Sequence, residues 1–252
     1  MGEPLRVPQV GGDVSDVGIS FVDAEGAVRS GSLAGLWNEP FEMARPARRF
    51  VAFKGQRNFT GEYWAATSRA LVGYESWVER DAVMALDFEP SVEGMASQPF
   101  RLAWNQDGRE HGHTPDYFAR LADGSGVVVD VRPGALVDEE SATVFAFTGR
   151  VCEAVGWQFR LVGELGEPFR SNLRWLARYR HSRCHRVEPA EALREVFAVP
   201  RALFAGAELV GDRIAVLPVL YHLLWRQELM VDLASAPLGA GSLVCVTGRR
   251  RT

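Results

Sequence analysis

Two carboxylates and a cation lie close together in mid-chain: Asp116, in His113-Thr114-Pro115-Asp116-Tyr117, and Asp130 with Arg132, in Val127-Val128-Val129-Asp130-Val131-Arg132. Hard carboxylate oxygens suit Mg2+ or Mn2+, for which one or two carboxylates plus waters suffice. A guanidinium beside them stabilises negative charge building on a phosphorus centre or its leaving oxygen. These residue types therefore point to metal-assisted chemistry on a phosphate. His111 and His113 form an H-x-H-x-x-D cluster with Asp116, but no second group of histidine or cysteine ligands follows, and a histidine in a hairpin is more commonly structural or exposed.

The elements that must position this set are legible as patterns. Ala122-Asp123-Gly124-Ser125-Gly126 is a hairpin turn signal between two apolar runs. A loop of two to four residues makes paired residue numbers sum to about 247 to 249, so Asp116 lands opposite residue 131, 132 or 133, and a three-residue loop sets it against Arg132. Alternation puts Asp130 and Arg132 on one face of the strand and Val129 and Val131 on the other. Upstream, residues 74–88 lack internal Gly and Pro, carry Val78, Ala82, Ala85 and Leu86 at helical spacing and stop before Pro90. Glu75 and Glu79 share a face of that helix, as a third carboxylate for the site or as a solvated acidic face. A strand over 98–104, a helix over 139–155 and a strand over 157–162 complete an α/β (α+β) sandwich around a mixed sheet.

The 252 residues allow one large domain or two modest ones, and 47% apolar content supplies a core. No apolar run is long enough to span a membrane, and three widely spaced cysteines, Cys152, Cys184 and Cys245, fit no zinc or disulfide framework, so a reducing cytoplasm is expected. Residues 1–168 carry 15 basic and 25 acidic side chains, whereas residues 169–252 carry 13 and 7. Residues 1–16 read as a loose tail, 17–168 as the α/β domain, and 169–252 as a basic module. In the first part Arg45, Arg48, Arg49, Lys54 and Arg57 occur with no acid among them, as a phosphate-facing strip or a solvated edge. In the second, a basic helix over 172–186 carries Arg174, Arg178 and Arg183, for DNA or for a partner protein. Further helices are expected over 189–196, 200–205 and 216–229. Two strands near 230–233 and 242–246 give the outline of a winged helix.

Pro115-Asp116 followed by Asp130-Val131-Arg132 matches the P-D-(x)n-(D/E)-x-K arrangement of restriction-type nucleases. Ser76-Trp77-Val78-Glu79, Gln98-Pro99-Phe100, His113 to Phe118, Val128 to Pro133, Gly156-Trp157 and Asn172 to Leu176 occur in an order that resembles the TnsA-like endonuclease subunit of heteromeric bacterial transposases, across residues 45–246. The resemblance implies a restriction-endonuclease-like domain followed by a winged-helix domain, and nicking of DNA at the 5′ ends of a transposon. It implies Mg2+ as cofactor, with double-stranded DNA, a DDE-type transposase and an AAA+ ATPase regulator as partners. By position, Glu79, Asp116 and Asp130 would hold the metal and Arg132 stands where the family has lysine. Arginine stabilises charge but cannot act as a base. The alternatives are an assembly module that recruits the transposase or ATPase without cutting, and a stand-alone restriction-type nuclease.

Overall fold

A computed structural model describes residues 16–48, 59–106, 108–133 and 138–247. The chain divides into two compact units, Met1–Glu164 and Leu165–Thr252. It is a mixed α/β protein with several small sheets, one of them mixed, and seven helices among the described residues. None of these helices is long and apolar enough to cross a membrane.

The first unit opens with strands β1 (Gly18–Val22) and β2 (Val28–Ser32), which pair through the Asp23–Gly26 turn, and a one-turn helix α1 (Leu33–Leu36). Strands β3 (Gly61–Ala65) and β4 (Ala70–Tyr74) form a separate hairpin. Helix α2 runs Trp77–Phe88, so Tyr74, expected as its first residue, instead ends β4. The N-cap explains the later start, because the Ser76 side chain accepts from the Glu79 N–H and fixes the first turn there. Five strands follow: β5 (Val92–Ser97), β6 (Arg101–Gln106), β7 (Arg109–His113), β8 (Tyr117–Leu121) and β9 (Gly126–Val131). The expected single strand over 98–104 is thus only β6, while β5 precedes it and pairs elsewhere. Helix α3 (Glu139–Ala154) then crosses over to β10 (Gln158–Val162), which pairs parallel with β9.

Two four-stranded sheets result, ordered β2-β1-β6-β7 and β10-β9-β8-β5. Antiparallel pairing of β1 with β6 makes the N-terminal hairpin part of the first sheet. A cluster containing Ile19 and Phe21 from β1, Leu102 and Trp104 from β6, Phe118 from β8, Val128 from β9, and Phe147 and Val151 from α3 forms the core. Phe41 lies at its centre, fully buried, with ring centroids of Phe21 and Phe100 at 4.9 Å and of Phe118 and Trp157 at 5.6 Å.

The β8–β9 turn departs from the expected register. Leu121 and Ser125 close a three-residue loop, with the Leu121 N–H donating to Ser125 O (2.9 Å) and the Gly124 N–H donating to Leu121 O (2.9 Å). Gly124 takes the left-handed conformation at φ 84°, and the Asp123 carboxylate accepts from the Ser125 N–H and hydroxyl. The loop has the expected length but centres on Asp123, because only Gly124 meets the positive φ at its last position. Tyr117 therefore pairs with Val129, and continuing that register sets Asp116 opposite Asp130 rather than Arg132.

The second unit holds α4 (Phe169–Leu176), α5 (Val187–Val196), a short β11 (Arg201–Ala202), α6 (Leu203–Val210), α7 (Arg213–Trp225), β12 (Leu229–Val231) and β13 (Leu243–Val246), with sheet order β11-β13-β12. The expected basic helix over 172–186 is broken into α4 and two 3-10 turns, Ala177–Tyr179 and Ser182–Cys184. The His222 ring takes the Tyr179 carbonyl at 2.7 Å, removing an acceptor that a continuing helix would use. Asn172, 4% exposed, donates to the carbonyls of Leu233 and Ala236 (both 2.9 Å) and accepts from the Leu238 N–H (2.8 Å), so every polar atom of its amide is engaged.

Phe41→Ala deletes the ring at the centre of the aromatic cluster. We expect the unfolding free energy of the first unit to fall by about 3–5 kcal/mol in urea titrations, and a fall below ~1 kcal/mol would show that the cluster repacks around the space.

Candidate functional site

Asp116 sits just before β8, preceded by the buried Pro115. Its N–H donates to Asp130 Oδ1 (3.3 Å) and its carbonyl accepts from the Gln98 N–H (2.8 Å). Its Oδ2 accepts from the Val131 N–H (2.8 Å) and from Arg132 Nη1 (3.3 Å). Arg132 Nη1 also donates to the carbonyl of Val131 at 2.8 Å, and the guanidinium lies 5.8 Å from the Phe145 ring centre. Asp116 and Arg132 thus meet as the sequence suggested, through a diagonal contact instead of direct opposition.

Asp130 has no exposed surface. Its Oδ2 lies 2.8 Å from Nε2 of His113, itself 8% exposed. His113 belongs to β7 and pairs with Leu102, so this bond ties the mixed sheet to the antiparallel one. Both Asp130 oxygens are engaged, one by a side chain and one by the backbone of Asp116. The carboxylate accordingly aims the Asp116 peptide as well as adding charge.

Glu79 enters from the first turn of α2. Its Oε1 accepts from the Ser76 hydroxyl (3.0 Å) and its Oε2 from the Glu75 N–H (2.7 Å), while Ser76 Oγ accepts from the Glu79 N–H (3.1 Å). Ser76 and Glu79 thus bond each other reciprocally, and with the Glu75 N–H this anchors the carboxylate near the helix N-terminus. Glu75, for which a solvated role was the simpler expectation, is instead held by both nitrogens of Arg48, with Nη1 to Oε1 at 3.0 Å, and by Gln98 Nε2 (3.2 Å).

The electrostatics tie these groups together. Burial pushes Asp116 up to about 7, helped by the charges of Asp130 and Glu79 and opposed by the Val131 N–H and the Arg132 guanidinium. Burial also raises Glu79, against the pull of its capping bonds and Arg132. The phenol of Tyr117, which donates to Gly73 O at 3.1 Å, is held well above its usual range by burial and by the Glu79, Asp116 and Glu75 carboxylates. Glu79, Asp116, Asp130 and Arg132 therefore lie within one another's fields.

Among the described residues no three His, Cys, Asp or Glu side chains gather closely enough to form a complete metal-binding group. The donor chemistry nevertheless fits Mg2+ or Mn2+, which keep most of their waters and need one or two carboxylates. Asp116 can supply one, whereas Glu79 would have to share its oxygens with the helix-cap donors and Asp130 an oxygen with His113. A buried amide oxygen beside the site, Gln98 Oε1, has no hydrogen-bond partner among the described residues and suits a water of such a shell. His111 lies outside this group, its ring stacked at 5.8 Å on Trp104.

Of the basic residues marked as DNA or partner contacts, Arg48 is paired with Glu75, and Arg49, Lys54 and Arg57 lie outside the described residues. In the second unit Arg174 is on α4, Arg178 is exposed with its guanidinium 5.1 Å from the Trp175 ring centre, and Arg183 is exposed on the second 3-10 turn. These three do not share one continuous helix. His113 enters as the partner of Asp130, and Gln98 through bonds to Asp116 and Glu75, roles that neither the H-x-H-x-x-D cluster nor the Gln98-Pro99-Phe100 motif indicates by itself. No family model matches the chain, and no curated protein is significantly similar to it.

The raised pKa of Asp116 has a thermodynamic consequence. Its folded value lies above the ordinary ~3.9 of an unfolded aspartate, so the folded state holds the proton longer and stability from this group is lost as pH rises from about 4 to about 7. Asp116→Asn removes the titration. Measured with a chelator present, the variant should gain stability relative to the parent across that interval and hold a constant difference above it, and a pH-independent difference would show that Asp116 titrates normally.

Proposed function

We propose that the chain is a metal-dependent DNA endonuclease of restriction-endonuclease-like architecture, with a winged-helix-like second unit. The observation that carries this reading is the contact of Asp116 with Asp130 and Arg132 at the adjoining ends of β8 and β9, with Glu79 on α2 near enough for its charge to act on Asp116. In this reading Asp116 and Glu79 hold the cation, and Asp130, steadied by His113, fixes the Asp116 peptide. Mg2+ bound there would supply Lewis acidity and lower the pKa of water at the site. Arg132 stabilises the charge that develops on the phosphate and its leaving oxygen, and being permanently protonated it takes no proton from water.

The order of the motifs through the chain supports the narrower proposal of a TnsA-like subunit nicking the 5′ ends of a transposon. Its partners would be double-stranded DNA, a DDE-type transposase and an AAA+ ATPase regulator. A second reading, a non-cutting assembly module, is favoured by Glu79 having both carboxylate oxygens engaged in the helix cap and by arginine at position 132.

Strand nicking of transposon-end DNA with Mg2+ and the transposase present tests both. Asp116→Ala should abolish nicking, and Arg132→Ala should slow it by about 100- to 1,000-fold, while undiminished nicking by Asp116→Ala would remove this site from the mechanism. An inactive parent that gains activity on Arg132→Lys would favour the assembly module.

A further inference from the structure

Gln98 lies beside the site in a conformation that its packing alone does not reward. It is 3% exposed, and its backbone is left-handed at φ 45°, a region that glycine and asparagine enter far more readily than glutamine. Strain of this kind persists where surrounding bonds enforce it, and it concentrates at functional sites. Here the bonds are explicit. The Gln98 N–H donates to Asp116 O at 2.8 Å, its carbonyl accepts from the Ala47 N–H at 2.8 Å, and Nε2 donates to Glu75 Oε2 at 3.2 Å. Only Oε1 is left, buried and without a partner among the described residues. Turning the amide over would set Oε1 against the Glu75 carboxylate, acceptor to acceptor, so the orientation with Nε2 on Glu75 is the one the neighbours require.

A buried amide oxygen without a donor is costly, and native proteins keep few of them. The orphaned acceptor lies on a residue bonded to Glu75 through its side chain and to Asp116 through its backbone. A ligand that satisfies it must bring hydrogen-bond donors and must tolerate nearby carboxylates, which excludes an anion. A hydrated divalent cation does both, because it presents polarised O–H groups while its charge is attracted by the carboxylates. Groups that hold the outer face of a metal's ligand shell commonly control affinity without touching the metal.

We propose that Gln98 is a positioning residue for a hydrated divalent cation at Asp116, its Oε1 accepting a hydrogen bond from one of the cation's waters and its Nε2 holding Glu75 in place. The inference rests on the reading of Asp116 as a cation ligand. It also accounts for the left-handed backbone, which carries the amide to Glu75 while the peptide N–H reaches Asp116.

The test is Mn2+ binding to the full chain without DNA, followed by the electron paramagnetic resonance signal of the free ion. Gln98→Asn withdraws the amide by one methylene and places a residue more at ease in the left-handed region, so its melting temperature should equal or exceed the parent's. Its Mn2+ dissociation constant should rise about tenfold, and Asp116→Ala should abolish binding. If Gln98→Asn melts well below the parent, the comparison passes to Gln98→Gly, which removes the amide without strain at φ 45° and should show the same loss. Unchanged affinity in the folded Gln98 variant, with binding lost in Asp116→Ala, overturns the role of Gln98 and leaves the cation at Asp116 standing. Absence of Mn2+ binding by the parent at millimolar ion overturns both.

Discussion

The register of β8 against β9 is the constraint on which the site depends. The turn allows one position of positive φ, Gly124 takes it, and Tyr117 is thereby paired with Val129. Asp116 and Asp130 then face each other across the strand pair. Two facing carboxylates repel, and the fold answers by separating their surroundings. Asp130 is enclosed and tied to His113 and to the Asp116 N–H, while Asp116 stays at the margin and takes its donors from the Val131 N–H and Arg132. A slip of one residue would turn one side of that arrangement out of the core.

Burial makes this concentration of acid expensive, and its cost is visible in the raised pKa values of Asp116, Glu79 and Tyr117. Several ordinary devices offset it. The cap of α2 gives Glu79 two donors, Arg48 and Gln98 share Glu75, and Arg132 stands against Asp116. Stability does not by itself account for such a cluster, because apolar side chains of similar volume would pack there without the penalty. Within the first unit the Phe41-centred cluster provides the rigid backing, since β8 and β9 contribute Phe118 and Val128 to it from the strands that carry the carboxylates.

The second unit follows a different logic. Helix α7 is buried from Val219 to Trp225 and apolar nearly all round, so it serves as the centre of its unit. Polar character lies elsewhere, on α4 and the 3-10 turns after it, where Trp175 is 40% exposed beside Arg178. Asn172 fastens α4 to the loop between β12 and β13 with three hydrogen bonds, a polar junction within an apolar interior.

The motif resemblance singled out Glu79, while composition and short-range pattern were enough to mark the α/β class, the helices near 77–88 and 139–154, the hairpin at 122–126, and the candidates Asp116, Asp130 and Arg132. These follow from periodicity, turn chemistry and residue type, which act over a few residues. The start of α2 turns on the local Ser76 cap, but most of the missing or mistaken parts require knowing what lies across space. Gly124 sets where the three-residue loop centres, but which carboxylates then face each other is read only from the pairing along both strands. The break after α4 depends on His222, 43 residues beyond the carbonyl that it takes. His113 and Gln98 join the site only because the two sheets bring β7 to β9 and the end of β5 to Asp116. Local sequence thus determined which residues could do chemistry, and tertiary structure alone decided which oxygens are engaged, because long-range hydrogen bonds assign them.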